Sequence, residues 1–208
     1  MADVGSGFRE ESTMNARGIT LGLAAALLST GAFAQNAIND QQRDVNQQQR
    51  IEQGLQSGQL SSKEAGQLER GKQRIDRVEA KDLKNGSINP AEQARLNSME
   101  NRESRAIYGD KHNGVTGDPN SASSQRMQAD VQRNVNQQQR INNGMRNGSL
   151  TNREAGSLER GQAHVDRREA NAAANRHVGA GEQARIQGAE NRQSGRVYRK
   201  KHNARVRG

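Results

Sequence analysis

The segment EAGQLERG at residues 64–71 returns ninety positions later as EAGSLERG at residues 154–161. The same offset places residues 42–113 on residues 132–203 without a gap, and about half of the aligned positions are identical. A duplicated unit of this kind is typical of scaffolds that stack similar elements on one another. The repeat therefore indicates how the chain folds, and it does not by itself indicate a chemical activity.

Each repeat predicts three helices. Gln, Arg, Glu, Ala and Lys dominate, whereas β-branched and aromatic residues are scarce, which favours helix over strand. In the first repeat we expect helices over about residues 40–56, 61–84 and 90–110, with glycines Gly58 and Gly86 at their ends. The capping box SSKE begins the second helix. The sequence thus predicts an all-α fold of two tandem three-helix units with helix-loop-helix corners.

The N-terminal residues 1–34 resemble a secretory signal peptide. A short positive start at Met14 to Arg17, an apolar stretch and the small-residue ending GAFA are its three expected parts. Translation from Met14 is the alternative start. The apolar stretch is shorter than the ~20 residues that span a bilayer, so we expect no integral membrane segment in a mature chain beginning near Gln35. We therefore expect a periplasmic or secreted protein. The alternative interpretation of the apolar stretch is a buried helix.

The predicted domains are the signal region, repeat one over residues 35–113, a flexible linker over 114–125, and repeat two with a basic tail over 126–208. The chain has no cysteine, so disulfides cannot stabilise it. Its apolar residues are few, and we expect the units to pack on each other or the protein to form a homodimer; disorder is the alternative. The core predicted for the first repeat is Val45, Ile51, Leu55, Leu60, Leu68, Ile75, Val78, Leu83, Ile88, Leu96, Met99, Ile107 and Tyr108.

Positive charge is concentrated in the second repeat. Residues 35–114 contain 13 basic and 12 acidic residues, a net charge of +1, whereas residues 115–208 contain 17 and 8, a net charge of +9. Such a surface attracts an anionic polymer or envelope component, and the alternative is a merely solubilising surface. Specific nucleic-acid recognition is not expected, because stacking aromatics are missing. The predicted contacts are Arg192, Arg196, Arg199, Lys200, Lys201, Arg205 and Arg207.

The corners between helices resemble the second half of a degenerate EF-hand loop. Gly86 stands where the loop needs glycine, Ile88 is the apolar position, and Glu92 matches the closing carboxylate. The first half lacks acidic ligands, so the resemblance implies weak, calcium-type cation binding or sensing at most. Helix capping explains the same glycine and glutamate. The candidate cation ligands are Asn85, Ser87, Glu92, Ser57, Glu64, Asn147, Glu154, Asn175 and Glu182.

Catalytic patterns are not found. There is no cysteine nucleophile, no serine triad, no glycine-rich phosphate loop and no clustered histidine, so neither an enzyme nor a cofactor is predicted. Glu64 and Glu69 lie five residues apart beside Arg70, and we interpret them as a solvent-exposed acidic face. The leading functional hypothesis is an exported, non-catalytic interaction module, and cation binding is the alternative.

Overall fold

Helices account for nearly all of the regular structure. The computed structural model describes the backbone of residues 24–204 and the side chains of residues 35–204. Within these residues the chain is all-α and has no strand, which confirms the predicted class. Short 3-10 turns, Leu83–Asn85 and Ala173–Asn175, follow the second and fifth helices. The helices are α1 Ala24–Gln56, α2 Ser62–Asp82, α3 Pro90–Lys111, α4 Ala122–Arg146, α5 Asn152–Ala172 and α6 Ala180–Lys201.

The predicted helix ends are confirmed in the first repeat. Ser61 Oγ accepts a hydrogen bond from the Glu64 amide at 3.3 Å, and the Glu64 carboxylate accepts one from the Ser61 amide at 2.9 Å. Gly58 and Gly86 have φ values of 73° and 97°, a left-handed conformation that glycine adopts without steric cost. The residue equivalent to Gly86 in the second repeat is Arg176, which keeps a φ of 71° and is strained there.

The first helix is longer than the sequence predicts. It begins at Ala24, whereas we expected a start near residue 40. Much of the predicted export signal lies in residues 1–23, outside the described residues. At the junction of the repeats, α4 begins inside the predicted linker, and the Gly117 amide donates a hydrogen bond of 2.8 Å to the Gly58 carbonyl. None of the helices in the described part has the length and apolar character required to cross a membrane.

The two repeats are interleaved. The most extensive helix contact is between α2 and α5, and the next is between α1 and α4, so each major interface joins one repeat to the other. The central pair is antiparallel, and glycine makes the close approach feasible: a Cβ on Gly66 would lie 2.5 Å from the Cβ of Ala173, and one on Gly156 would lie 2.7 Å from that of Leu83. Helix α3 lies against α1 and α2, and α6 lies against α4 and α5.

Apolar side chains form two clusters, and each draws on both repeats. One cluster contains Ile51, Leu68 and Met127, and the other contains Ile75, Ile141 and Leu158. Most residues of the predicted core are buried, but Val78 and Met99 are only partly buried. Tyr108 is wrong as a core residue, because its side chain is 63 % exposed and its ring stacks on the imidazole of His112.

Candidate metal centre

Acidic side chains occupy the interior between the two apolar clusters. On α2, Glu69 and Asp76 directly follow the buried residues Leu68 and Ile75, so they share the face that the helix turns inward. The repeat places equivalent acids on α5. Ten carboxylates in the described part of the chain are at most 1 % exposed. Three of them are Glu100, Asp130 and Glu190, and the other seven lie on α1, α2 and α5: Asp44, Glu69, Asp76, Glu79, Glu159, Asp166 and Glu169.

These acids form two groups in which one oxygen of every member lies within 4.8 Å of one oxygen of every other member. The first cluster is Asp44, Asp76, Glu79 and Glu159, and the second cluster is Glu69, Asp166 and Glu169. The offset of ninety residues converts the acids from α2 and α5 in one cluster into those in the other. Each cluster contains carboxylates from both central helices, so neither repeat could assemble one alone.

Amide side chains surround the clusters and leave oxygen atoms without partners. Each of four buried amides donates one hydrogen bond, of 2.8 to 3.2 Å, to a cluster glutamate. The amide oxygen of each has no partner, although buried polar atoms normally have one. The donor and acceptor pairs are Gln41 with Glu79, Gln48 with Glu69, Asn134 with Glu169, and Gln138 with Glu159.

The carboxylates themselves are also short of partners. At least one oxygen of every cluster member is buried without an amide, hydroxyl or cationic donor, and Asp166 has two such atoms. When protonated, the carboxyls of Asp76 and Asp166 hydrogen-bond to each other, which links the two clusters. Lys72 is the one lysine or arginine that is buried in the described part of the chain, and its Nζ pairs with Asp44 Oδ1 in the first cluster. Its equivalent in the second repeat is Gln162. The second cluster therefore has no cation beside it.

Burial shifts these acids toward their protonated forms. Desolvation, the largest cause, raises the pKa of both Glu69 and Glu159 to about 8 and that of Asp76 to about 6. Desolvation and neighbouring carboxylates raise the pKa of Glu79 and Glu169 well above the ordinary value. Burial and the neighbouring carboxylates thus favour the protonated form of these groups when no cation is bound.

Two further buried acids, one from each repeat, lie outside the clusters. Glu100 on α3 forms an ion pair with Arg43, and the equivalent Glu190 on α6 pairs with Arg133 at 3.2 Å. Burial raises the pKa of Glu100 to about 7 and that of Glu190 to about 8, despite these arginines. The acidic layer thus extends from the central helices to α3 and α6.

The clusters have the chemistry of a site for hard cations. Their ligands would be carboxylate and amide oxygens, which suit calcium, magnesium, manganese and similar ions, whereas zinc and copper favour nitrogen and sulfur. The described clusters contain no histidine, and the chain has no cysteine. One ion in each cluster would provide the missing partners for the unbonded oxygens.

The predicted corner ligands lie elsewhere, and hydrogen bonds engage their oxygens. Both oxygens of Glu64 are bonded, one to Ser61 and the other to Asn113 Nδ2 at 2.8 Å. Glu92, Glu154 and Glu182 also accept from the amides three residues before them. Asn85, Asn147 and Asn175 accept from the amides of Ser87, Ser149 and His177, and Ser57 Oγ donates to the Gly54 carbonyl. The structure brings none of these residues into either cluster.

The predicted anionic-partner residues lie together on one helix as far as they are described. Arg192, Arg196, Arg199, Lys200 and Lys201 belong to α6, and Arg205 and Arg207 lie outside the described residues.

The interpretation of Glu64 and Glu69 as a solvent-exposed acidic face is wrong, because both residues are buried and Glu69 has no exposed surface. The repeat preserves these acids, because Glu69, Asp76 and Glu79 each match an identical acid ninety residues later. Exposed residues such as Arg70 and Arg77 also match identical residues, so identity alone did not mark the site. Comparisons with known protein families, with curated proteins and with solved structures found no match.

Proposed function

We propose that this protein binds hard metal cations in its interior, one ion in each acidic cluster. The observation that supports the proposal best is the pair of fully buried, repeat-related carboxylate clusters with unbonded oxygens. Burying ionised groups without partners is costly, and proteins usually pair such groups or use them to coordinate metals. The ligands from α2 and α5 would couple cation binding to the packing of the two repeats.

Charge favours two ions rather than one. When all seven cluster carboxylates are ionised, Lys72 balances one of them and six negative charges remain. Two divalent ions would balance four of these charges, and two trivalent ions would balance all six. Calcium accepts six to eight oxygens at about 2.3 to 2.6 Å, and magnesium requires a stricter octahedron. The irregular set of side chains suits the more permissive calcium, manganese or a trivalent ion of similar size.

The proposal is tested by calorimetric titration of chelator-treated protein with Ca²⁺, Mn²⁺ and Tb³⁺ separately, each combined with thermal unfolding. We expect two ions per chain for at least one of these metals and a higher unfolding temperature, because a ligand that binds only the folded state stabilises it. A flat titration at millimolar concentrations of all three ions would refute it.

A matched pair of variants separates the interior from the corners. The double variant Glu69→Gln and Glu159→Gln removes one carboxylate from each cluster with little change in size, and we expect it to lose the metal response. The double variant Glu64→Gln and Glu154→Gln alters the equivalent corner positions and should keep it. If the corner variant loses the metal response and the interior variant keeps it, the cation site lies at the EF-hand-like corners.

The second candidate function is that of an exported, non-catalytic interaction module for an anionic partner. The surplus of positive charge on α6, whose last turn contains Arg199, Lys200 and Lys201, supports it. Export through residues 1–34, a periplasmic or secreted location, an origin as two tandem three-helix units and a homodimer belong to the same proposal. Retention on an immobilised polyanion that falls with salt would support the anionic partner, and retention unaffected by neutralising α6 would refute it.

A further inference from the structure

A basic groove separates α5 from α6 in the second repeat. The cavity has a volume of about 240 Å³, and three arginines stand around it: Arg168 from α5, and Arg192 and Arg196 from α6. Arg192 and Arg196 are four residues apart, so they lie on the same side of α6. The remaining lining residues are neutral or aromatic, and none is acidic: Gly161, His164, Val165, Ala189 and Gln193.

The arginines of this groove are available to a ligand. All three side chains are exposed, and none forms a salt bridge with a carboxylate in the described part of the chain. The local field is also positive at the groove wall. Burial, followed by the charges of Arg167 and Arg77, lowers the pKa of His164.

The equivalent surface of the first repeat carries less positive charge. Val78 stands where the second repeat has Arg168, and Ala106 stands where it has Arg196. Glu103, which would repel an anion, is replaced by the neutral Gln193. Met99 is replaced by Ala189, which shortens the side chain that lines the cavity. These four differences make the groove of the second repeat more open and more positive, and they outweigh the exchange of Arg74 for His164, which removes one charge from the lining.

We propose that the groove between α5 and α6 binds a phosphoryl group, either free or carried by an anionic lipid. Three guanidinium groups from two helices can donate to several oxygens of one tetrahedral phosphate, whereas a planar carboxylate is satisfied by a single fork. The groove deepens the second candidate function by giving the anionic partner a site and a chemistry. It is separate from the metal centre, because its arginines are exposed and the clusters are buried.

The test measures binding of pyrophosphate by calorimetry and binding of phosphatidylglycerol vesicles by sedimentation, at low salt. The groove variant is Arg168→Val with Arg196→Ala, which installs the residues that the first repeat already tolerates at these positions. The control variant, Arg199→Gln with Lys200→Gln, removes the same charge from α6 outside the groove. Pyrophosphate binding identifies a free phosphate ligand, and binding of vesicles alone identifies a lipid headgroup.

We expect the groove variant to lose about tenfold or more in affinity, because two charge-assisted interactions are removed, and the control to stay within about twofold. Equal binding by the groove variant and the native protein, or no binding of either probe, would overturn the proposal. If the native protein is retained on a polyanion but binds neither probe, the phosphoryl site fails while the broader anionic partner survives.

A gain-of-function variant provides a second test that does not depend on the stability of the loss variant. Arg74→His, Val78→Arg, Met99→Ala, Glu103→Gln and Ala106→Arg together install the groove residues in the first repeat, apart from Val165, whose equivalent is Ile75. We expect the bound stoichiometry to rise from one to two phosphoryl groups per chain. An unchanged stoichiometry in the folded variant would contradict the assignment of the groove.

Discussion

The two acidic clusters are related by the repeat, but they differ at one pair of equivalent positions. The first cluster includes Asp44, whose charge is balanced by the buried Lys72, whereas the second repeat has Asn134 and Gln162 at these positions. One arrangement is an ion pair and the other is two amides, so both are neutral overall. In contrast, the three cluster acids of α2, which are Glu69, Asp76 and Glu79, have identical equivalents in α5. At the cluster positions, the repeats therefore differ only by an exchange that conserves net charge, and both keep the carboxylates that could bind a cation.

The largest expected effect comes from titrating both clusters together in metal-free protein. The pKa values of Glu69 and Glu159 are about 8 in the folded state, against an ordinary value of 4.5, so the folded chain holds more protons than the unfolded chain between these values. Folding stability must therefore fall as the pH rises through this window. Calorimetry between pH 5 and pH 9 should show an unfolding temperature that falls by about 10 °C or more.

Saturating metal should reduce this dependence, because a bound cation favours the ionised carboxylates over the protonated ones. A metal-free protein that is more stable at pH 9 than at pH 5 would show that the acids are not buried as described.

The next largest effect is expected from breaking the ion pair that distinguishes the first cluster. Lys72→Met leaves Asp44 buried without its cation, and removing one partner of a buried pair costs about 3 to 5 kcal/mol. The double variant Asp44→Asn with Lys72→Gln installs the residues of the second repeat and should recover most of the loss. Denaturant unfolding of the two variants measures the difference, and equal stability of the single and double variants would refute the charge-balance account.

Single ligand variants test whether the clusters bind cations independently. Glu69→Gln should weaken the ion in the second cluster, and Glu159→Gln should weaken the ion in the first. We expect at least about a 100-fold loss in affinity at the affected site, because a change to a group that only orients a metal ligand already costs about 10- to 100-fold. This loss corresponds to about 2.7 kcal/mol. Calorimetric titration would then show one tight ion per chain in either variant. Loss of both ions in each variant would mean that the two clusters form one coupled site.

The smallest effects concern the helix caps, where the repeats also differ. Thr151→Ala should cost about 1 kcal/mol, because it removes the side chain that accepts from the Glu154 amide at 3.2 Å. Gly179 stands at the position of Asn89, and Gly179→Asn should gain a few tenths of a kcal/mol. Thermal unfolding of the two variants measures both changes. Effects of the same sign would contradict the assigned capping roles.

Local rules predicted much of the fold from the sequence. The capping box at Ser61 and Glu64 and the left-handed Gly58 and Gly86 lie where residue type and spacing indicated. These features depend on neighbours within a few residues, so they can be inferred from a single chain. The interleaving of the repeats depends on contacts between α2 and α5, about ninety residues apart along the chain, and no local rule specifies it.

The candidate metal centre was not predicted for the same reason. Glu69 beside Arg70 has the composition of an exposed helix face, and the packing of other helices on α2, α5 foremost, buries it. The corner glutamates were predicted as cation ligands because their spacing matches an EF-hand loop, but their oxygens accept hydrogen bonds in helix caps. Identity between the repeats marks the buried acids and the corner glutamates alike, because Glu64 and Glu92 also match Glu154 and Glu182. Only the tertiary packing separates the two sets.

Anomalous diffraction from crystals grown with Mn²⁺ tests the central claim most directly. We expect two peaks per chain in the interior, one among Asp44, Asp76, Glu79 and Glu159 and the other among Glu69, Asp166 and Glu169. Data collected from the Glu69→Gln and Glu159→Gln double variant should lack both peaks. Peaks confined to the corner glutamates, or an interior without anomalous signal at millimolar Mn²⁺, would contradict the account.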